Sequence, residues 1–442
     1  MRKSQSRLKN DLSHARLPTY MDLCRDGKPN VFVRNRKLSV EDLIFSMINR
    51  KGLTLYMELR SYMEIAHPEI TVSKVAYLKQ RMKLNPKAIE NLYQVHNKSF
   101  YQDPEEMPSS YNGYLVLAAD GSDVNVPTSP ETVELYGSAS RKGAKPQAQI
   151  GLGCLHDVLN RFVLAASVNR VKFHEMTIAE QQIYSVRETI GDRYPFMVIM
   201  DRGYTSSPAF LRLIDNGISF VVRLKSSDFK AEQKAMKTDD EDITINLTKS
   251  RRNNYIGTPD EEIMMRQDAF QLRFVRVPLE TGETEVLATT LPRDEFPASM
   301  FGEIYHMRWG IETAFETLKD RLQLENFTGI KPRIIEQDIY ATIYVNNLAE
   351  DIIRDIEKEE KERLENGYKH KMMLNRNISI GVLKADLVRA LLESIPEEQD
   401  RRFQCIYDEL SRNVVPIRND RHYPRTKGQL AAKYSNTHKR AY

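Results

Sequence analysis

Cysteine is scarce in this chain, tryptophan nearly absent, and long apolar runs are missing. Cys24, Cys154 and Cys405 are the only cysteines in 442 residues, and their spacing makes neither a CxxC pair nor a disulfide framework. "CLHD" at Cys154–Asp157 offers one Cys and one His on a predicted strand, too few for a zinc site, and reads as structural. No apolar run approaches the ~20 residues of a membrane helix. The opening "MRKSQSRLKNDLSHAR" is too charged for a signal-peptide core, so a cytoplasmic chain without a membrane span is expected. An excess of one charge is lacking too: 65 Lys and Arg face 61 Asp and Glu, a net +4. Bulk electrostatics therefore do not announce a nucleic-acid binder.

The distribution of charge says more than its sum. Arg2, Lys3, Arg7, Lys9 and Arg16 face only Asp11 at the start, and the tail after Arg412 carries Arg418, Arg421, Arg425, Lys427, Lys433, Lys439 and Arg440 against Asp420. His422, Tyr423 and Tyr434 are interleaved. Such a tail suits either a phosphate backbone or a solubilising end.

Up to about residue 105 the apolar residues recur at helical spacing, as in "SVEDLIFSMINRKG" and "TLYMELRSYMEIA". "TVSKVAYLKQRMKLNPKAIENLYQVHNKSFYQ" reads as two helices broken at Asn85-Pro86. Its basic stretch "KVAYLKQRMK" has two readings, a groove-entering helix of a helix-turn-helix or a solvated face. After Pro108 come three strands, "YLVLAAD", "AQIGLGCLHDV" and "RFVLAASVN", then a helix, the strand "FMVIMD", a helix, and the strand "ISFVVRLK". Runs this apolar predict a central sheet covered on both faces. From 226 to 300 the texture is that of short β elements, and after Lys319 it is mainly helical.

"YHMRWGIETAFETLK", Tyr305–Lys319, reads as an amphipathic helix. At 100° per residue, Arg308, Glu312 and Lys319 lie roughly 60°, 20° and 40° from Tyr305, on one narrow stripe. Met307, Ile311, Leu318 and Leu322 gather on a separate face. An ion-paired solvated stripe is the plain reading. Two carboxylates elsewhere sharpen it. Asp120 and Asp201 each close an apolar strand, at the rim where open α/β sheets place their sites. Meeting there they repel unless a hard divalent cation compensates, and a third carboxylate from a helix completes a two-metal site. Glu312 is the natural third partner, with Glu316 the alternative; Asp123 is the alternative to Asp120. "DGSD" also reads as a plain turn and "DRGY" as a helix N-cap.

Together these motifs resemble the DDE insertion-sequence transposases of the IS-four-like subgroup with a Y-R-E-K signature. Tyr305, Arg308, Glu312 and Lys319 match that signature at every spacing, Asp120-Gly121-Ser122 matches its "DG[ST]" and Asp201-Arg202-Gly203-Tyr204 its "DRG[YF]". "LATTLP" and "LENFTG" are similar to the family as well, and the resemblance spans about residues 110–345. It implies an α/β fold: a ribonuclease-H-like catalytic core interrupted by a β-rich insertion, with helical N-terminal and C-terminal regions. The expected boundaries are 1–107 (DNA-binding), 108–225 (core), 226–300 (insertion), 301–360 (core, catalytic helix onward) and 361–442 (helical, with the basic tail). It implies that Asp120, Asp201 and Glu312 hold two Mg2+ ions, Mn2+ being able to substitute. It also implies that Tyr305, Arg308, Lys319 and Arg202 grip phosphates. The expected partners are double-stranded DNA at the terminal inverted repeats, target DNA, and a second copy in a paired-end dimer.

Members of the family often cut the second strand through a hairpin, which needs an extruded base stacked on an aromatic ring. The only Trp, Trp309, lies on the catalytic helix, while Tyr255, Phe270 and Phe274 lie in the insertion. Tyr255, after "KSRRNN", is the candidate; a loop aromatic is its plain reading. Two other functions compete with transposition: a metal-dependent nuclease or resolvase on the same fold, and a DNA-binding protein that has lost catalysis. The intact signature opposes the first and three carboxylates oppose the second.

Overall fold

The computed structural model describes residues 2–34, 36–139, 145–279 and 282–418; the basic tail from residue 419 lies outside them. The chain opens with helices α1 (Lys3–Ala15), α2 (Pro18–Arg25), α3 (Val40–Ile48), α4 (Leu55–Ala66), α5 (Lys74–Arg81) and α6 (Pro86–Tyr101). Next come β1 (Leu115–Asn125), α7 (Pro130–Tyr136), β2 (Ser138–Ala139), β3 (Gln147–Asp157), β4 (Phe162–Arg170), α8 (Glu175–Ile190) and β5 (Phe196–Met200). They are followed by α9 (Ser207–Asp215), β6 (Ser219–Arg223), α10 (Lys230–Ala235), β7 (Asp240–Asn246), α11 (Lys249–Asn253), α12 (Glu261–Met265), β8 (Ala269–Pro278) and β9 (Thr284–Thr289). Helices α13 (Phe301–His306), α14 (Trp309–Glu316), α15 (Pro332–Glu359) and α16 (Lys361–Asn366) precede β10 (Met372–Leu374), α17 (Arg376–Leu391), α18 (Pro396–Arg412) and β11 (Val414–Pro416). None of the described helices is long and apolar enough to cross a membrane.

The chain divides into two units. The second, Tyr101–Asp123 with Gly151–Phe315, is a mixed α/β layer with strand order β3-β1-β5-β6-β9-β8-β7 and β4 beside β3. β1, β5 and β6 are parallel, and β9, β8 and β7 continue antiparallel from β6. The strands of segment 226–300 thus extend the central sheet. One stretch of it departs from the β reading: Lys249–Asn253, within "KSRRNN", is a helical turn capped by Thr248, because a Thr side chain accepting from the N3 amide starts a helix.

The apolar runs of the sequence explain the layer. Every residue of β5 is buried, as is β1 from Leu115 to Ala119. Val116, Met197, Ile199, Val221, Val275 and Leu287 form one core with Phe301 and Ile304 of α13. That packing seats the start of the Y-R-E-K segment on the sheet. Arg273 of β8 reinforces it, binding Asp240 with two 2.7 Å bonds and donating to the carbonyls of Leu291 and Phe296. Its guanidinium lies 5.0 Å over the Phe301 ring.

The first unit comprises Met1–Phe100, Val124–Ile150 and the chain from Glu316 onward. Its centre is α15, packed by α1, α3, α17 and α18. Buried ions tie it to the N-terminal helices. Asp338 is fully buried and is reached by Arg50 and Arg81 at 2.8 Å each, while Thr328 donates its amide at 2.7 Å. Arg81, the last residue of α5, also donates to Gln337 and Thr328. The solvated-face reading of the basic helix therefore fails for Arg81, which is a core anchor. Lys74 and Lys79 of α5 remain exposed. A second cluster joins His96 to Asp11 at 2.8 Å and to Asp351 at 3.4 Å, with Arg7 on Asp351 at 2.8 Å.

Burial alone would raise the Asp338 carboxyl, but Arg50, Arg81 and Thr328 hold it down at about 2. A depressed carboxylate contributes stability above its unfolded value, near 4, and loses it as pH falls toward 2. Removing the charge leaves two buried guanidiniums uncompensated. Asp338→Asn is expected to cost about 3–5 kcal/mol in urea unfolding at pH 7. A cost below about 1 kcal/mol would mean that the pairs behave as exposed ones.

Candidate active site

Parallel pairing of β1 and β5 sets the site. Leu115 pairs with Phe196 and Ala118 with Ile199. Two residues further in that register, Asp120 stands level with Asp201. Adjacent strands lie about 4.8 Å apart, so the two backbones run side by side there, and Asp201 is felt by Asp120. The structure corrects one boundary: β1 does not end at Asp120 but runs on to Asn125. Only the burial ends there, and "DGSD" is strand, not turn. β5 does stop at Met200, and Asp201 caps the 3-10 turn Arg202–Tyr204, its Oδ1 accepting from the Gly203 amide at 2.6 Å. Asp201 is thus a cap and a rim carboxylate at once. Its cap serves this short turn, whereas α9 begins at Ser207.

The Y-R-E-K segment is not the single regular helix expected from its spacing. α13 ends at His306, Arg308 sits in a turn, α14 carries Glu312, and a π-helical stretch, Thr317–Arg321, follows. Through the break the amides bond three residues back, Arg308 to Tyr305 and Gly310 to Met307. Gly310 gives the reason: a Cβ there would lie 2.5 Å from Val158 Cγ1. The backbone presses onto the β3–β4 connection, and glycine is also a weak helix former.

The break leaves Arg308 at the centre. Its Nη2 donates to Glu312 Oε1 at 2.6 Å, and its Nη1 is 3.9 Å from Asp120 Oδ2. Its guanidinium lies 6.0 Å from the Tyr305 ring, and its Nε is buried without a hydrogen-bond partner. Asp120, Asp201, Arg308, Tyr305 and Glu312 are therefore brought together. Arg308 reaches Glu312; no such bond ties Glu316. Asp123 is exposed, past the buried part of β1. Lys319 lies in the π-helical stretch, which belongs to the first unit. Arg202 is exposed and unbonded among the described residues.

Burial pushes the Asp120 carboxyl up to about 6; the Gly121 amide and Arg308 oppose the rise, while Asp201 and Glu175 add to it. Glu175, the first residue of α8, was missed by the sequence reading, which took it only as part of a helix. Its own carboxyl is raised by burial, Asp201 and Asp123. No local pattern marks it, since Glu is common in a first helical turn.

This donor set is chemically suited to a hard divalent cation. It offers carboxylate oxygens only, and their mutual repulsion is what a cation would relieve. As placed, no three His, Cys, Asp or Glu among the described residues are close enough to hold a metal ion. The Arg308 guanidinium, bonded to Glu312 and 3.9 Å from Asp120, supplies the local positive charge.

Beyond the turn carrying Asp201 lies an open polar cleft of about 410 Å3, lined in part by Thr205, Ser206, Phe229, Lys230, Arg251 and Tyr255. Tyr255 is half-buried on its wall. Two of the three cations before it are engaged: Arg251 binds Glu232 through two bonds of 2.8 and 2.9 Å, and Arg252 binds Asp268, while Lys249 is exposed. As placed, the two arginines are not free to follow a DNA backbone. Phe270 and Phe274 are buried in β8, so of the three candidate aromatics of that segment Tyr255 is the one that lines the cleft.

The chain is 20% identical over 343 residues to the transposase InsG of insertion sequence element IS4 from Escherichia coli (strain K12), covering 75% of this chain and 73% of that one. A 76-residue stretch, 17% of this chain and 20% of the relative, is 36% identical to the putative transposase InsL of element IS186A from the same organism. Among solved structures, the piggyBac transposase synaptic complex with hairpin DNA aligns over 88% of this chain and 80% of its own, at 10% identity and a TM-score of 0.45. The family model described as "Transposase DDE domain" matches residues 111–348, more than half the chain, and the chain accordingly belongs to the DDE transposase family.

Proposed function

We propose that this DNA-cleaving and strand-transferring enzyme acts at the ends of its own insertion element, through Asp120, Asp201 and Glu312. The observation that carries the reading is the level register of Asp120 and Asp201 with Arg308 linking Asp120 to Glu312. The three carboxylates would hold two Mg2+ ions, with Mn2+ able to replace them. Such cations supply an activated water or 3′-hydroxyl and stabilise the leaving oxygen. The order of strands and helices from β1 to β6 supports a ribonuclease-H-like core.

The chain's own residues do the rest. Arg308 turns its guanidinium from Glu312 to a terminal phosphate, which accepts the same fork of donors. Exposed Arg202 and partly buried Lys319 add phosphate contacts, and Tyr305, half-buried beside Arg308, fixes its approach. Tyr255 offers its ring to an extruded base at the cleft after Asp201. The partners are the element's terminal repeats, the target DNA, and a second copy in the paired-end complex. In the N-terminal region, Lys74 and Lys79 are the cations of α5 left for DNA.

With DNA spanning the element boundary, paired ends and Mg2+, the wild-type chain is expected to cut at the terminus and leave a 3′-hydroxyl. Glu312→Gln should retain DNA binding and lose at least about a thousandfold in cutting rate. Equal cutting by the two proteins would remove Glu312 from the chemistry.

Metal binding should be steeply pH-dependent. The Asp120 carboxyl, raised to about 6, must lose its proton to bind a cation. Mn2+ affinity, read by calorimetry without DNA, should be full above pH 7 and fall about tenfold per unit as pH drops below 6. The sign reverses for the metal-free fold: a raised carboxyl contributes most below pH 4 and loses that contribution as pH rises through 6. Metal-free Asp120→Asn should then melt above wild type at pH 7.5 and not at pH 4. An unchanged Mn2+ affinity from pH 7 to 5 would count against Asp120 as a ligand.

A further inference from the structure

Helix α5 is locked on one side and open on the other. Tyr77 and Arg81 are 3% and 0% exposed. The Tyr77 hydroxyl shares a 2.9 Å bond with Ser46 of α3, and Arg81 binds Gln337 and Asp338 of α15. The Arg81 guanidinium lies 5.6 Å over the Tyr77 ring, so the two form one buried anchor. At 100° per residue, Val75, Lys79 and Met82 lie about 160°, 200° and 140° round from Tyr77, opposite that anchor. Val75 is 61% and Met82 39% exposed, and Lys79 is exposed between them. Single apolar residues scattered over a surface need no explanation. Here they bracket a cation on the face that the anchor leaves open.

The charge around this face has one sign. From His67 to Lys83 the chain carries Lys74, Lys79, Arg81 and Lys83 against Glu69 alone. Neither Lys74 nor Lys79 has an ion-pair partner among the described residues. Arg36 and Lys37 add to them: Lys37 donates to the Thr71 carbonyl at 3.3 Å, which brings this exposed pair to the turn before α5. Helix α4 packs against α5 across that turn, and Ser73 caps α5 by accepting from the Ala76 amide at 3.2 Å. The arrangement is helix, turn, helix, with the open face on the second helix. Eight residues at 1.5 Å rise make α5 about 12 Å long, close to the width of a DNA major groove. A lysine beside an aliphatic side chain suits the base edges there, since Lys donates to guanine and an apolar group packs on the thymine methyl. Cations to either side suit phosphates, which position the reader without carrying sequence information.

We propose that α5 reads the terminal repeat of the element through the major groove. Val75 and Lys79 contact bases, while Arg36, Lys37 and Lys74 hold the flanking phosphates. The inference rests on the end-directed reading above and adds to it the residues that tell an end from other DNA.

The test uses the full chain, without divalent metal so that binding is read apart from cutting, and fluorescence anisotropy on two duplexes. One spans the element boundary; the other has the same length and composition with the terminal repeat scrambled. Wild type should prefer the first. Lys79→Ala should lose about tenfold to a hundredfold of that preference and Val75→Ala about fivefold. Uracil in place of each thymine of the repeat removes only the major-groove methyls. It should weaken wild type and leave Val75→Ala unaffected. Arg36→Ala and Lys37→Ala should weaken both duplexes alike and lower the salt slope by about one each. Lys361→Ala removes an exposed cation from α16 and should bind as wild type. The substituted side chains are all exposed, so every variant should melt with wild type.

The proposal is overturned when either Val75→Ala or Lys79→Ala keeps the full preference, or when uracil weakens Val75→Ala as much as wild type. It is also overturned when Lys361→Ala loses as much as Lys79→Ala, which leaves only bulk charge. Weaker self-association of Val75→Ala and Met82→Ala in light scattering, with DNA preference intact, makes the face a contact between copies and overturns it too. Wild-type behaviour separates these failures from a failure of the wider reading. If wild type prefers the end and the variants do as well, only α5 is excluded. If wild type binds both duplexes alike, the end-directed reading falls and this proposal with it.

Discussion

Two carboxylates on neighbouring parallel strands cannot be brought level without a counter-charge, and this constraint organises the second unit. The pairing of β1 with β5 fixes Asp120 beside Asp201. Slipping that register by one residue would send every buried side chain of β5 to the other face. The core of Val116, Met197, Ile199 and Val221 therefore holds the repulsion in place. Arg308 is the counter-charge that the fold itself supplies, and its reach to Glu312 and Asp120 makes it the residue on which the site turns.

The strands of segment 226–300 serve that placement. β9, β8 and β7 extend the sheet from β6, and Arg273 ties them to the chain just before α13. α13 then docks through Phe301 and Ile304, and Gly310 lets the next turn sink onto Val158. Each step moves the Arg308 guanidinium closer to the end of β1. The break after α13 is a consequence of that close approach: a straight helix would need the space that Val158 fills.

The two units treat buried charge in opposite ways. In the first, Asp338 has two guanidiniums and a hydroxyl, and its carboxyl is held at about 2. In the second, Asp120 has one distant guanidinium and two acidic neighbours, and its carboxyl rises to about 6. The compensated cluster anchors helices, whereas the one at the sheet rim is left under-compensated, in a chain whose net charge is close to balanced.

The sequence by itself determined the apolar strands, the helix before Gly191, the division at Asn85-Pro86, and the positions Asp120 and Asp201 where buried apolar runs stop, since burial and local spacing are written in neighbouring residues. The nearness of Glu175 to Gly121 was not legible, because Glu175 lies 55 positions beyond Asp120 and only the course of α8 brings it there. Arg81 read as a solvated cation until Asp338, 257 residues away, was found against it. The even stripe from Tyr305 to Lys319 was likewise an idealisation: periodicity assumes an unbroken helix, and the contact of Gly310 with Val158 breaks it. Local sequence determined which residues carry charge and where apolar runs stop. Tertiary structure alone decided which charges are compensated, because compensation is a matter of distance between segments that the sequence keeps far apart.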